Sequence, residues 1–125
     1  MDAVSLYDAV GGMPFFERLV ARFYEGVAGD EVLRPMYPEE DLGPAARRLT
    51  LFLAQYWGGP TTYQEERGHP RLRMRHAPFS IGRAERDRWL VHMRAAVADL
   101  DPPEPIRRAL LDYFDLGAET VRIRD

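Results

Sequence analysis

At 125 residues, with 46% hydrophobic and 30% charged side chains, the chain has the size and make-up of one globular domain spanning residues 1–125. A formal charge of −3 argues against nucleic acid or an anionic membrane as the main partner. The lack of cysteine excludes disulfides, thiolate zinc sites, cysteine-held iron–sulfur clusters, covalent Cys-x-x-Cys-His haem attachment and a thiolate haem ligand, and because all 17 basic residues are arginine, lysine Schiff-base chemistry is excluded as well.

The stretch from Met1 to Val10 carries Asp2 and Asp8 and no basic residue, so it is not expected to be a signal peptide. No run approaches the ~18 apolar residues of a membrane span. A cysteine-free chain fits a reducing cytosol, and a cytoplasmic location is expected. In chain order, Ser5 opens a short helix, with Asp8 three residues on, and Gly11-Gly12 ends it. Met13 to Ala28 follows, with Pro14 suited to a first turn and Phe16, Leu19, Val20, Phe23, Tyr24 and Val27 recurring at helical spacing. Gly29-Asp30 breaks this helix, and Glu39-Glu40-Asp41 reads as a solvated corner. The spacing predicts a second strong helix from about Pro44 to Trp57, burying Ala45, Leu49, Phe52, Leu53 and Tyr56, and stopped by Gly58-Gly59-Pro60.

Residues 61–70 read as a loop, and Arg71 to His76 as a short helix. A long helix from about Arg83 to Leu100 places Trp89, Met93, Ala96, Val97 and Leu100 on one face, and the last runs from about Pro105 to Ile123. No strand alternation is visible, so the fold class is all-α. A simple bundle does not account for the long Gly-, Pro- and Arg-rich stretch from Gly58 to Gly82; segments of that length inside a compact domain are commonly functional.

Familiar catalytic patterns are missing. There is no His-x-x-x-His, no His-Glu-x-x-His, no Gly-x-Ser-x-Gly and no dinucleotide or phosphate loop. Glu66-Arg67-Gly68-His69 matches half of a carboxylate di-iron motif, but that chemistry uses two units on continuous helices, and Gly68 and Pro70 break this one. Arg67, Arg71, Arg73 and Arg75 form a basic run with three readings: a solvated face, a nucleic-acid patch that the acidic total disfavours, or a clamp for the carboxylates of a small molecule. Tyr24 lies on an otherwise apolar face, and a phenol pointing into a core needs a partner, whether backbone, side chain or ligand.

Five ordered segments carry more than this. Tyr7-Asp8-Ala9-Val10-Gly11-Gly12, Arg22-Phe23-Tyr24, Tyr37-Pro38-Glu39-Glu40-Asp41-Leu42, Gln55-Tyr56-Trp57-Gly58-Gly59-Pro60 and the run from Gly68 to Phe79 resemble the truncated haemoglobins of group II, and Glu85-Arg86-Asp87-Arg88-Trp89-Leu90 continues the match. The arginine- and alanine-rich composition is similar to that of actinobacterial members. The resemblance implies a two-over-two helical sandwich around haem b. It places His76 at the proximal position as the iron ligand, and Tyr24, Tyr37 and Trp89 as hydrogen-bond donors to a bound ligand. Ala45 falls where many globins carry a distal histidine or glutamine. Leu49 and Phe52 would wall the pocket, with Leu72, Phe79 and Met93 as further haem contacts. Arg48, Tyr63, His69 and Arg75 would meet the propionates.

What the family implies is binding of dioxygen, carbon monoxide, nitric oxide or peroxide. The three donors point to a redox or detoxifying role, such as nitric oxide dioxygenation or peroxidase turnover, rather than simple transport. Electrons for either would come from a separate reductase, and the expected assembly is a monomer or homodimer. The alternative from another class is a non-haem helical module. It would use His76 and the tyrosines structurally and dock an acidic partner on the arginines.

Overall fold

The computed structural model describes residues 5–71, 76 and 81–122, and within these the secondary structure is helical throughout, with no strand. Helix α1 spans Leu6–Ala9, α2 Met13–Ala28, a 3-10 turn Arg34–Met36, α3 Gly43–Tyr56, α4 Thr62–Arg67, α5 Arg83–Leu100 and α6 Glu104–Val121. The predicted limits of α2 and α5 match those found. Among the described residues no helix is long and apolar enough to cross a membrane.

The ends follow local chemistry. Ser5 Oγ accepts the Asp8 N–H at 3.1 Å and caps α1. Gly11 and Gly12 turn the chain with φ of +91° and +85°, a region that favours glycine. Glu85 folds back to accept the Gly82 N–H at 2.6 Å, starting α5. The corner at Glu39-Glu40-Asp41 is more than solvated charge: Asp41 Oδ1 accepts the Gly43 N–H at 2.8 Å at the start of α3, and Glu39 pairs with Arg48 at 2.8 Å.

Helix α2 packs on α3 and on α5, α5 packs on α6, and α4 folds onto α3. The result is two helix pairs, α2 with α3 and α5 with α6, joined through α2 and α5. Phe16, Leu19, Val20, Phe23, Val27, Leu53, Met93, Val97 and Leu110 are fully buried between them. The predicted face of α2 is the buried one.

Two expectations are corrected. Residues 61–70 are not all loop. Thr62–Arg67 forms α4 because Gln55 Oε1 caps the Gln64 N–H at 2.9 Å and Tyr63 is drawn into the interior. Tyr56 is 53% exposed rather than buried; Thr50 and Ala54 take its place inside, and Tyr56 stacks outside on Tyr113 with ring centroids 4.1 Å apart. Leu49 and Phe52 are half-buried, packing against the core and lining a cavity as well.

Gly58-Gly59 brings α1 against the end of α3, where the Tyr7 N–H donates to the Trp57 carbonyl at 3.0 Å. A Cβ on Gly59 would fall 2.6 Å from the Tyr7 ring and 2.8 Å from the Ala54 carbonyl oxygen. Gly59→Ala is therefore expected to destabilise the fold by about 1–3 kcal/mol through overpacking. Urea unfolding should show a lower midpoint at unchanged slope.

Candidate functional site

A cavity of about 590 Å³ opens between the helix pairs, within the range of roughly 300–1,000 Å³ typical of cofactor sites. Its walls are mostly apolar: Leu33 and Met36 from the turn after α2, Ala45, Leu49, Phe52 and Leu53 from α3, Tyr63 from α4, and Phe114, Ala118 and Val121 from α6. Polar groups reach it at particular points. Tyr24, Tyr37 and Trp89 supply two phenols and an indole, His76 an imidazole, and Glu39, Arg48, Arg67, Glu85 and Arg86 add charge.

The donors are held by ring packing. Phe23 lies against Tyr24 at 4.9 Å and against Trp89 at 5.1 Å, and Tyr24 meets Tyr37 edge-on at 5.5 Å. Tyr24 is buried, and desolvation, followed by the neighbouring Tyr37, pushes its phenol far above the ordinary tyrosine range. Burial raises Tyr37 too, while hydrogen bonding with Tyr24 and with the Trp89 indole pulls the other way. An indole N–H can only donate, so Tyr37 Oη is the acceptor toward Trp89. Tyr24 and Tyr37 also interact through their hydroxyls, and a phenol can fill either role. One phenol proton of the pair is then left for an acceptor in the cavity. The site thus presents neutral donors in apolar surroundings, suited to a small ligand carrying partial negative charge.

Of the residues singled out from the sequence, Tyr24, Tyr37, Ala45, Arg48, Leu49, Phe52, Tyr63, His76 and Trp89 come together here. His76 is helical and half-buried in the wall. His69 is exposed, with Nδ1 accepting the Arg71 N–H at 3.2 Å, and is not in the lining. Met93 is wholly buried in the core rather than in the cavity wall. Leu72, Arg75 and Phe79 lie outside the described residues. Arg48 is half-exposed and shared with Glu39, which it holds below the usual carboxylate range. Glu66 of the half di-iron motif is instead forked by Arg47 at 2.7 and 2.8 Å.

Sequence reasoning missed Glu85, Arg86, Tyr113 and Gly117 as lining residues. Gly117 had a signal. A glycine inside a helix costs about 1 kcal/mol relative to alanine and asks for a reason. The reason is spatial: Gly117 borders the cavity, and a Cβ there would meet no protein atom within 4 Å, so the helix leaves a gap on its cavity side.

Among known proteins, the chain matches the family model described as bacterial-like globin over residues 5–122. It is 42% identical over 112 residues to the group 2 truncated hemoglobin YjbI of Bacillus subtilis, covering 90% of this chain and 83% of that protein. Of solved structures, the thermostable hemoglobin of the actinobacterium Thermobifida fusca superposes with a TM-score of 0.93 at 63% identity, over 96% of this chain and 98% of that one. The truncated oxygen-avid haemoglobin from Bacillus subtilis gives 0.90 at 39% identity, over 96% and 100%.

The raised phenols set a pH dependence. Above pH ~10 the unfolded chain ionises its tyrosines, while Tyr24, Tyr37 and the likewise burial-raised Tyr113 stay protonated in the folded state. The folded state then binds more protons, so stability falls as pH rises through this range. Urea midpoints between pH 9 and 11 should decline, and Tyr24→Phe should flatten the decline by about one proton.

Proposed function

The chain belongs to the bacterial-like globins as a group II truncated haemoglobin with haem as cofactor, and from that premise we propose that it is a ligand-stabilising redox haem protein rather than a carrier. Bound in the cavity, haem b would supply an iron centre that binds diatomic ligands and exchanges electrons with them. The residues present fit that group. The volume and apolar walls suit a flat macrocycle, and the gap beside Gly117 is space a Cβ would otherwise fill. His76 would hold the iron through its imidazole; its support is its place in the cavity wall. Arg48, Arg67 and Arg86, with the Tyr63 hydroxyl, are the cavity's candidates for the propionates.

The observation that carries the reading is the meeting of Tyr24, Tyr37 and Trp89 in one apolar cavity with His76 in its wall. Tyr24 and Trp89 orient the Tyr37 oxygen, and the Tyr37 proton serves the ligand. The apolar surroundings exclude water and strengthen that bond. Tight holding suits a protein that keeps dioxygen until a second reactant arrives. With nitric oxide as that reactant, the two combine to nitrate, and the electron the protein loses is restored by a separate reductase. Peroxide turnover uses the same donors. A reducing cytosol, where such reductases work, is the proposed location.

The alternative of a haem-free docking module loses its basis, since these tyrosines border a cavity instead of merely filling the core. Two measurements test the redox reading. Tyr37→Phe is expected to speed dioxygen release roughly tenfold or more, the worth of one such hydrogen bond. Mixing the oxygenated protein with nitric oxide should give ferric protein and one nitrate per haem; displacement of dioxygen without nitrate would point to simple ligand storage.

A further inference from the structure

The donors to the cavity come from three elements: Tyr24 from α2, Tyr37 from the turn that follows the 3-10 helix, and Trp89 from α5. These elements meet at one carboxylate outside the cavity. Asp30, two residues beyond α2, is only 6% exposed. Its Oδ1 accepts the backbone N–H groups of Val32 at 2.8 Å and Leu33 at 3.1 Å, and its carbonyl accepts that of Arg34 at 2.9 Å. From there the Met36 N–H donates to the Leu33 carbonyl at 2.9 Å and the Tyr37 N–H to the Arg34 carbonyl at 3.2 Å. Arg34 also donates to the Tyr37 carbonyl at 2.9 Å. Hydrogen bonds therefore run from Asp30 to Tyr37 without a gap.

The other oxygen crosses to α5. Asp30 Oδ2 accepts from Arg88 Nε at 2.9 Å and lies 2.6 Å from His92 Nε2. Arg88 directly precedes Trp89, and His92 is one turn farther on. The far side of the His92 ring is packed against α2, where a Cβ on Gly26 would fall 2.2 Å from Nδ1. Burial opposes ionisation of Asp30, yet bonds from His92, Arg88, Leu33 and Val32 outweigh it and hold the carboxyl well below its usual range. A plain helix stop would need none of this, since an exposed Asn or Gly would serve.

We propose that Asp30, tied to Arg88 and His92, is a positioning residue for ligand binding: it fixes the Tyr37 turn to α5 so that the Tyr37 hydroxyl stays in register with the Trp89 indole and over the bound diatomic ligand. The proposal rests on the reading of Tyr37 as the ligand's donor. Asp30 itself touches no ligand and acts only through the turn and the helix.

The test uses the haem-loaded protein, with dioxygen dissociation rate and the infrared C–O stretch of the carbon monoxide complex as readouts. Asp30→Asn keeps an acceptor for Val32 and Leu33 but removes the charge that holds Arg88 and His92. It is expected to speed dioxygen release roughly tenfold and to broaden or split the C–O band. In a Tyr37→Phe background the same change should alter release by less than about twofold, because the effect is routed through Tyr37. His92→Gln, which keeps a donor, should stay near wild type, and His92→Leu should behave like Asp30→Asn. The proposal is overturned if Asp30→Asn leaves rate and band unchanged, or speeds release by the same factor in both backgrounds, as general loosening would. Should Asp30→Asn fail to fold, the His92 pair decides: equal rates for Gln and Leu overturn it. Tyr37→Phe leaving release unchanged by itself would sink the donor reading, and this proposal with it, and is distinguishable because Asp30 plays no part in that result.

Discussion

The His92 ring of α5 is packed against α2 at Gly26, where a Cβ would fall 2.2 Å from its Nδ1. The rest of the structure depends on this contact. Phe23 of α2 stands between Tyr24 and Trp89, with ring centroids 4.9 and 5.1 Å away, so the spacing of the two helices sets the spacing of two of the three donors. The third, Tyr37, comes from the segment between α2 and α3 and is brought edge-on to Tyr24. Helices α3 and α6 then wall the space that this arrangement leaves, and α4 adds Tyr63 at one side.

Neutrality is the chemical result. The cavity is lined by phenols that burial keeps protonated and by an indole, while charge sits on residues such as Glu39 and Arg48 that remain half-exposed. A neutral donor in apolar surroundings stabilises a partly negative ligand without the desolvation penalty of a buried ion. Glycine and alanine do complementary work on the walls. Ala45 and Gly117 keep α3 and α6 from filling the cavity, and Gly117 does so against its own helix propensity.

Much of this was legible in the sequence, for identifiable reasons. Strong apolar periodicity marked α2 and α5, whose faces pack against protein, and their limits were readable from Gly12, Gly29, Gly82 and the prolines after Leu100. On helix α3 the reading failed only at Tyr56, which stacks outside on Tyr113, while a stripe of hydrophobic residues alone does not say that Leu49 and Phe52 line a cavity as well as the core. Helix α4 was hidden because its one buried anchor, Tyr63, sits among charged residues and its start depends on Gln55, from another element. Asp30 read as a helix breaker. Its role needs Arg88 and His92, 58 and 62 residues away, and no local pattern announces such a pairing. Tyr24 stood out as a phenol on an apolar face, but its role, like those of Tyr37, His76 and Trp89, was reachable only through family resemblance, as each alone has an ordinary structural reading.

The most direct test of this account is the visible absorption spectrum of the purified protein and of His76→Ala, each recorded ferric, dithionite-reduced and then under carbon monoxide. The account predicts a Soret band for the wild type, a five-coordinate ferrous spectrum that converts fully on carbon monoxide binding, and loss or severe weakening of haem retention in His76→Ala. A colourless wild-type protein that fails to take up added haemin, or a His76→Ala spectrum identical to wild type, would contradict it.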